Sequence, residues 1–174
     1  MTCIVALKYD GKVFMAGDRG ASDTSIILPM ETPKIHKSGP FLIGFSGSMS
    51  GQRLEYNFKP SVPNTKNIDE YMHTTFLKEL RAFYEEWWID MSSDGDLELL
   101  IGIKGEIFEH CSVDMSMNKY ASEYIASGSG SEYAYGYFKA TENRKDARAR
   151  VIGAVTAATT FSTTCMAPVD FLAV

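Results

Sequence analysis

Few residues in this chain of 174 combine a reactive side chain with a suggestive neighbourhood. The cysteines, Cys3, Cys111 and Cys165, are odd in number and widely spaced, which suits reduced thiols in a cytoplasmic compartment better than a disulfide framework. His36, His73 and His110 are equally scattered and lack metal-ligand spacing, so neither a metal nor another cofactor is expected. What remains is a set of short polar motifs: Thr2 at the head of the chain, Asp18 after Ala16-Gly17, Lys34 before an apolar run, and Gly128-Ser129-Gly130-Ser131. Singly, each is commonplace. A Gly-Asp pair after a strand is usually a turn, a lone lysine is usually solvated, and a Gly-Ser run is usually a flexible loop.

The elements around these motifs are better defined. Residues 3–9 and 12–16 read as strands joined by Asp10-Gly11, a pair suited to a turn that needs positive φ at both positions. Residues 17–33 read as a loop with a short extended piece at 25–28, and 41–45 as an apolar strand. A helix is expected from about Gly47–Gly51 to Phe58. A longer one starts behind Asn67, with Glu70 in capping position, and runs through Ile68, Tyr71, Met72, Phe76, Leu80, Phe83, Tyr84 and Trp87 to a stop near Ser92-Ser93-Asp94-Gly95. Residues 97–103 and 106–112 form a second hairpin pattern around Lys104-Gly105. A short strand comes next at 124–127, then helices at 132–139 and 145–160, and a closing strand at 169–174. The order is strands, two helices, strands, two helices, strand. Hairpins dominate, which predicts an α+β chain with mainly antiparallel sheets in one domain, 1–174.

Composition narrows the partners. The net charge is −5, and the densest basic stretch, Arg144, Lys145, Arg148 and Arg150, is interrupted by Asp146 and comes after Glu142. That pattern reads as a solvated helix face, so nucleic acid is not an expected partner. The N-terminus lacks a basic leader and no run of 18 apolar residues occurs, so neither a signal peptide nor a membrane span is expected.

Taken in order, four segments resemble a known family: Thr2-Cys3-Ile4-Val5-Ala6, Met15-Ala16-Gly17-Asp18-Arg19, Lys34-Ile35 leading to Leu42-Ile43-Gly44-Phe45-Ser46-Gly47, and Gly128-Ser129-Gly130 before Tyr133-Ala134-Tyr135-Gly136. The chain is similar, over nearly its whole length, to β-type proteasome subunits and the HslV peptidase. The resemblance implies the four-layer αββα sandwich of the N-terminal nucleophile hydrolases. It also implies a homo-oligomer of stacked rings with enclosed sites, degrading polypeptides supplied by an ATP-dependent unfoldase.

It further implies a threonine endopeptidase with Thr2 as nucleophile once Met1 is removed. A threonine hydroxyl needs a base, and a free terminal amine, with an ordinary pKa of about 7.7–8.0, can serve. The resemblance places Lys34 beside Thr2, paired with Asp18. It gives the oxyanion-binding amide to Gly44 and a hydrogen bond near the terminal amine to Ser129. Ala21, Thr32, His36, Leu42 and Ser46 are expected to line the pocket for the side chain before the cleaved bond, with a small or apolar preference. The match departs from the proteasome pattern at Ser162, where an aspartate is expected, and at Cys165, where a serine is. Retention of Met1 would turn the Thr2 nitrogen into an amide. These features keep open a catalytically inactive ring-forming scaffold. A third expectation, an amidase for small metabolites, is disfavoured by the short chain.

Overall fold

The computed structural model describes residues 2–22, 25–89, 92 and 96–174. An apolar run buried on both faces at the start of the chain sets the first sheet. β1 (Ile4–Tyr9) and β2 (Lys12–Gly17) pair antiparallel, with Ile4 opposite Gly17. The turn between them holds Asp10 and Gly11 at φ 51° and 70°, the double positive φ that Asp-Gly accommodates. β10 (Tyr124–Ser127) flanks β1, and β11 (Asp170–Ala173) flanks β2, giving the order β10-β1-β2-β11.

The second sheet is a five-strand antiparallel meander: β5 (Ile35–Ser38), β6 (Phe41–Gly47), β7 (Leu97–Ile103), β8 (Glu106–Cys111) and β9 (Ser116–Asn118). β5 and β9 lie outside the expected strands. Residues 37–40 read as a turn because Gly39-Pro40 dominates locally, yet the turn is only those two residues, since Ser38 already pairs with Phe41. The expected loop at 17–33 carries a small hairpin, β3 (Gly20–Ser22) with β4 (Ile27–Pro29).

Helices cover both outer faces. On the five-stranded sheet lie a 3-10 turn (Met49–Gln52), α1 (Arg53–Asn57), and a longer helical run of α2 (Ile68–Tyr71), a π-helical stretch (Met72–Phe76) and α3 (Leu77–Glu86). The run begins as its sequence dictates. Asn67 Oδ1 accepts from the Glu70 N–H at 3.2 Å, and Asn67 Nδ2 donates to Glu70 Oε2 at 3.0 Å. It stops at Glu86, before the expected stop near Ser92-Ser93-Asp94-Gly95, most of which lies outside the described residues. On the four-stranded sheet lie α4 (Ser131–Ala140) and α5 (Ala147–Phe161), the latter capped by Asp146.

Three apolar clusters separate these layers. Phe41, Ile43, Phe45, Phe76, Leu80 and Tyr84 fill the space between the long helical run and the second sheet. Cys3, Val5, Leu7, Phe138, Val151 and Val155 fill that between the first sheet and α4/α5. Ile4, Met15, Ile35, Leu42, Leu100 and Ile125 pack between the sheets. The alternation along β1 is decisive: even residues face the other sheet and odd residues face the helices. One helix face departs from expectation. Arg150 is buried against the Phe138 ring, while Arg148 lies over Phe171, so the basic stretch is only partly solvated.

Candidate active site

Thr2 sits just ahead of β1, buried and fixed by its backbone. The Thr2 carbonyl accepts from the Gly130 N–H at 3.0 Å, and the Thr2 N–H donates to Ser129 Oγ at 3.2 Å. Gly128 makes this approach possible. It takes φ 90°, and a Cβ there would collide with the Thr2 carbonyl oxygen. A side chain at 128 would therefore meet both a left-handed backbone penalty and a clash.

Asp18 and Lys34 form the centre. Both side chains are fully buried, with Lys34 Nζ 2.8 Å from Asp18 Oδ1. A charge without water must be paired and hydrogen-bonded. Asp18 Oδ1 also accepts from the Cys3 N–H at 3.0 Å, and Oδ2 accepts from the N–H groups of Gly20 at 2.8 Å and Met166 at 3.0 Å. Lys34 donates further to the Gly20 carbonyl at 2.5 Å. The pair thereby ties the end of β2, the head of β5, the residue after Thr2 and the loop before β11 into one knot. Next to it, Arg19 holds Asp170 through two nitrogens, each at 2.7 Å.

Ser129 Oγ also contacts Thr164 Oγ1 at 2.8 Å, and Thr164 Oγ1 contacts Ser162 Oγ at 2.8 Å. A line of hydroxyls thus runs from the Thr2 nitrogen to Ser162. Thr164 is silent in the sequence because a threonine in a surface loop carries no signal of its own. Cys165 is buried with Cys3 under α5, and burial raises both thiols above their ordinary range.

Gly44 does not occupy an oxyanion-binding position. The Phe45 N–H donates to the Lys34 carbonyl across β5 at 3.0 Å. Alternation along an antiparallel strand then turns the Gly44 amide the other way, to β7, where it faces Leu100. Its Cα is walled in by Ile4, Met15 and Ile35. Gly47, three residues on, shares the direction of the Phe45 amide, but β5 begins only at Ile35 and, among the described residues, no strand lies opposite it on that side. Leu97, across from Gly47, spends its own amide and carbonyl on Ser112 of the far side. Gly47 is exposed where Gly44 is buried. Only register, absent from a motif, distinguishes the two.

The five expected pocket residues divide. Ala21 lies half-buried on β3, and Thr32 accepts from Gln52 Nε2 at 3.1 Å. His36 stands opposite Ile43 and faces the helical layer, with Nε2 buried and unpartnered among the described residues. Its pKa is lowered to about 4 by burial, and then by the nearby Lys59 charge. Leu42 packs between the sheets with Ile4 and Leu100, on the opposite face of the sheet from His36. Leu42 therefore cannot line a pocket with His36, a correction that stems from the two-residue period of the strand. Ser46 is buried at the end of β6 and bonded to Ser127 and Glu98.

Among the described residues no group of three side chains is placed to hold a metal ion, and no helix is long and apolar enough to cross a membrane.

Two facing antiparallel sheets with helices on both outer sides form an αββα sandwich, a fold this chain shares with proteasome-like proteins of known structure. Solved structures carry the same architecture. BPH of Thiobacillus denitrificans in complex with epoxomicin matches at TM-score 0.82 and 21% identity, covering 99% of this chain and 98% of that one. HslV from Trypanosoma brucei matches at 0.70 and 18%, covering 99% and 98%. Anbu, an ancestral beta-subunit from Yersinia bercovieri, matches at 0.72 and 15%, covering 99% of this chain and 81% of that one. No protein-family model and no curated protein matches the sequence.

Proposed function

We propose that this chain is a threonine endopeptidase subunit of a self-compartmentalising ring, with Thr2 as nucleophile after Met1 is excised. The observation that carries the reading is the fully buried Asp18–Lys34 pair, bonded to the amide next to Thr2. A buried ion pair costs desolvation and is weak evidence of stability alone, so its placement against a hydroxyl-bearing N-terminal residue favours a chemical role.

In the proposed reaction Thr2 Oγ1 attacks the scissile carbonyl carbon as its proton passes to the terminal amine. The Lys34 charge favours the neutral amine and the deprotonated hydroxyl. Gly47, in place of Gly44, donates to the oxyanion. The C–N bond breaks, the leaving amine takes the proton, and water releases the acyl group from the resulting ester. Ser129 positions the amine, with Thr164 and Ser162 behind it. Epoxomicin binding by the Thiobacillus protein supports the same class of site here. On this reading the chain works in the cytoplasm as a homo-oligomer of stacked rings, and cleaves polypeptides passed on by an ATP-dependent unfoldase.

The hydroxyl of Ser162, where an aspartate was expected, favours a second reading: a ring-forming scaffold without activity. Intact mass and epoxomicin labelling separate the two. Loss of the Met1 mass, a stoichiometric adduct in the wild type and none in Thr2→Ala support the peptidase. Peptide turnover that survives Thr2→Ala would sink it.

A further inference from the structure

One carboxylate near the site has no part in the proposed chemistry. Glu98 lies on β7 directly opposite Ser46 of β6. Ser127 Oγ donates to Glu98 Oε2 at 2.5 Å, Ser46 Oγ contacts the same oxygen at 3.2 Å, and the two hydroxyls are 2.6 Å apart. Both serines are buried. Ionised, Glu98 supplies only acceptors. Two hydroxyl protons then serve three edges: Ser127 donates to the carboxylate, and Ser46 donates either to the same oxygen or to Ser127 Oγ.

The strands place this triangle between the sheets. Leu42 on β6, Leu100 on β7, Ile125 on β10 and Ile4 on β1 all belong to the inter-sheet core. Counting by two along each strand puts Ser46, Glu98, Ser127 and Thr2 on that same face. Ser127 is the cross-strand partner of Ile4, so it is diagonal to Thr2.

Each serine of the triangle is the immediate neighbour of a glycine that shapes the site. Ser46 precedes Gly47, whose amide projects past the start of β5. Ser127 precedes Gly128, the left-handed residue closed over the Thr2 carbonyl. Gly47 belongs to the five-stranded sheet and Gly128 to the loop that leaves the four-stranded one. We infer that Glu98 is a positioning residue that staples the two sheets at this point and fixes the distance between the Thr2 nucleophile and the Gly47 amide. The inference rests on the peptidase reading.

Such a staple acts on geometry, not on substrate affinity. A shift of about 1 Å between a nucleophile and its stabilising donor costs on the order of 100-fold in rate. Glu98→Ala is therefore expected to lower kcat by about 10- to 100-fold, with KM nearly unchanged. Both serines meet the same carboxylate oxygen, so Glu98→Gln can keep an uncharged oxygen there as the acceptor for both hydroxyls. It should recover most of the wild-type kcat, which a role based on negative charge would not allow. Ser127→Ala should add little to Glu98→Ala, because both break one triangle. The experiment is steady-state cleavage of a fluorogenic peptide by full-length wild type, Glu98→Ala, Glu98→Gln and the Glu98→Ala/Ser127→Ala pair, each checked by thermal melting. If Glu98→Ala fails to fold, Ser46→Ala and Ser127→Ala, singly and together, take its place: equal, non-additive kcat losses support the staple and additive ones overturn it. A wild-type kcat in Glu98→Ala, or a Glu98→Gln as slow as Glu98→Ala, overturns it while leaving the peptidase reading intact. A wild type that cleaves nothing overturns both.

Discussion

The buried Lys34 is the most exposed to consequence of any single residue, because its charge is balanced by the Asp18 carboxylate. Removing Asp18 takes away the carboxylate that pairs with this fully buried ammonium. Asp18→Ala should destabilise the fold by about 3–5 kcal/mol, the usual cost of removing one partner of a buried ion pair. The reverse change is milder. In Lys34→Ala the carboxylate keeps the amides of Cys3, Gly20 and Met166. That variant should melt above Asp18→Ala yet, under the peptidase proposal, lose at least about 100-fold in turnover, because the terminal amine would lose its neighbouring cation. Denaturant melts and peptide kinetics on the two variants check the asymmetry; equal melts would undercut the bonding scheme.

A second residue-scale expectation concerns pH. His36 titrates near 4 in the folded chain, because burial disfavours its charged form, against about 6.5 when unfolded. Its folded pKa is depressed, so the unfolded state takes up the proton first. The stability is present above about pH 6.5 and falls as pH drops toward 4. His110, lowered to about 4 by burial despite its bond to the Ser116 carbonyl, acts in the same direction. Between pH 7.5 and 5, wild type should lose about 2 kcal/mol more stability than His36→Gln, read from urea melts at both values.

At the scale of elements, glycines and caps carry distinct burdens. Gly128→Ala forces a Cβ toward the Thr2 carbonyl at φ 90°, so it must push the Thr2 backbone. It should lower turnover by more than about 100-fold and stability by about 1–3 kcal/mol. Asn67→Ala removes only the cap of the long helical run, far along the chain from Thr2. It should cost about 1 kcal/mol and leave kcat unchanged. Parallel melting and kinetics on both variants test the contrast. The same scale explains how much could be read from the sequence. Asp10-Gly11, Lys104-Gly105 and Asn67 with Glu70 are local signals, and each located its element to within a residue or two. Asp18, Lys34 and Ser129, which the structure gathers around Thr2 and Cys3, stand out in the sequence because each lies beside an element's end, in a motif with an order. Gly47, Thr164 and Glu98 were not, because register and loop packing decide them. Gly44 and Gly47 look alike in a string, and only the Phe45–Lys34 bond tells which amide is spent.

For the whole molecule, the loop that supports the site is continuous with an apolar outer surface. Phe161, the last residue of α5, is 70% exposed and stacks on Tyr133 of α4, with ring centroids 6.3 Å apart. The next five residues supply Ser162 and Thr164 to the hydroxyl line and the Met166 amide to Asp18. Trp88 is 89% exposed at the far end of the long helical run. Large aromatic side chains left bare on both outer layers suit a subunit that buries them against copies of itself. Under the ring proposal, Phe161→Asp should place a charge in that contact and lower the assembly order. Because the loop at 162–166 comes directly after it, turnover should fall with assembly and return as the protein is concentrated. Sedimentation velocity and peptide cleavage over the same concentration series would show the two moving together. A monomeric wild type with full turnover would rule out the ring as a requirement, and would leave the Asp18–Lys34 knot sufficient to hold the site.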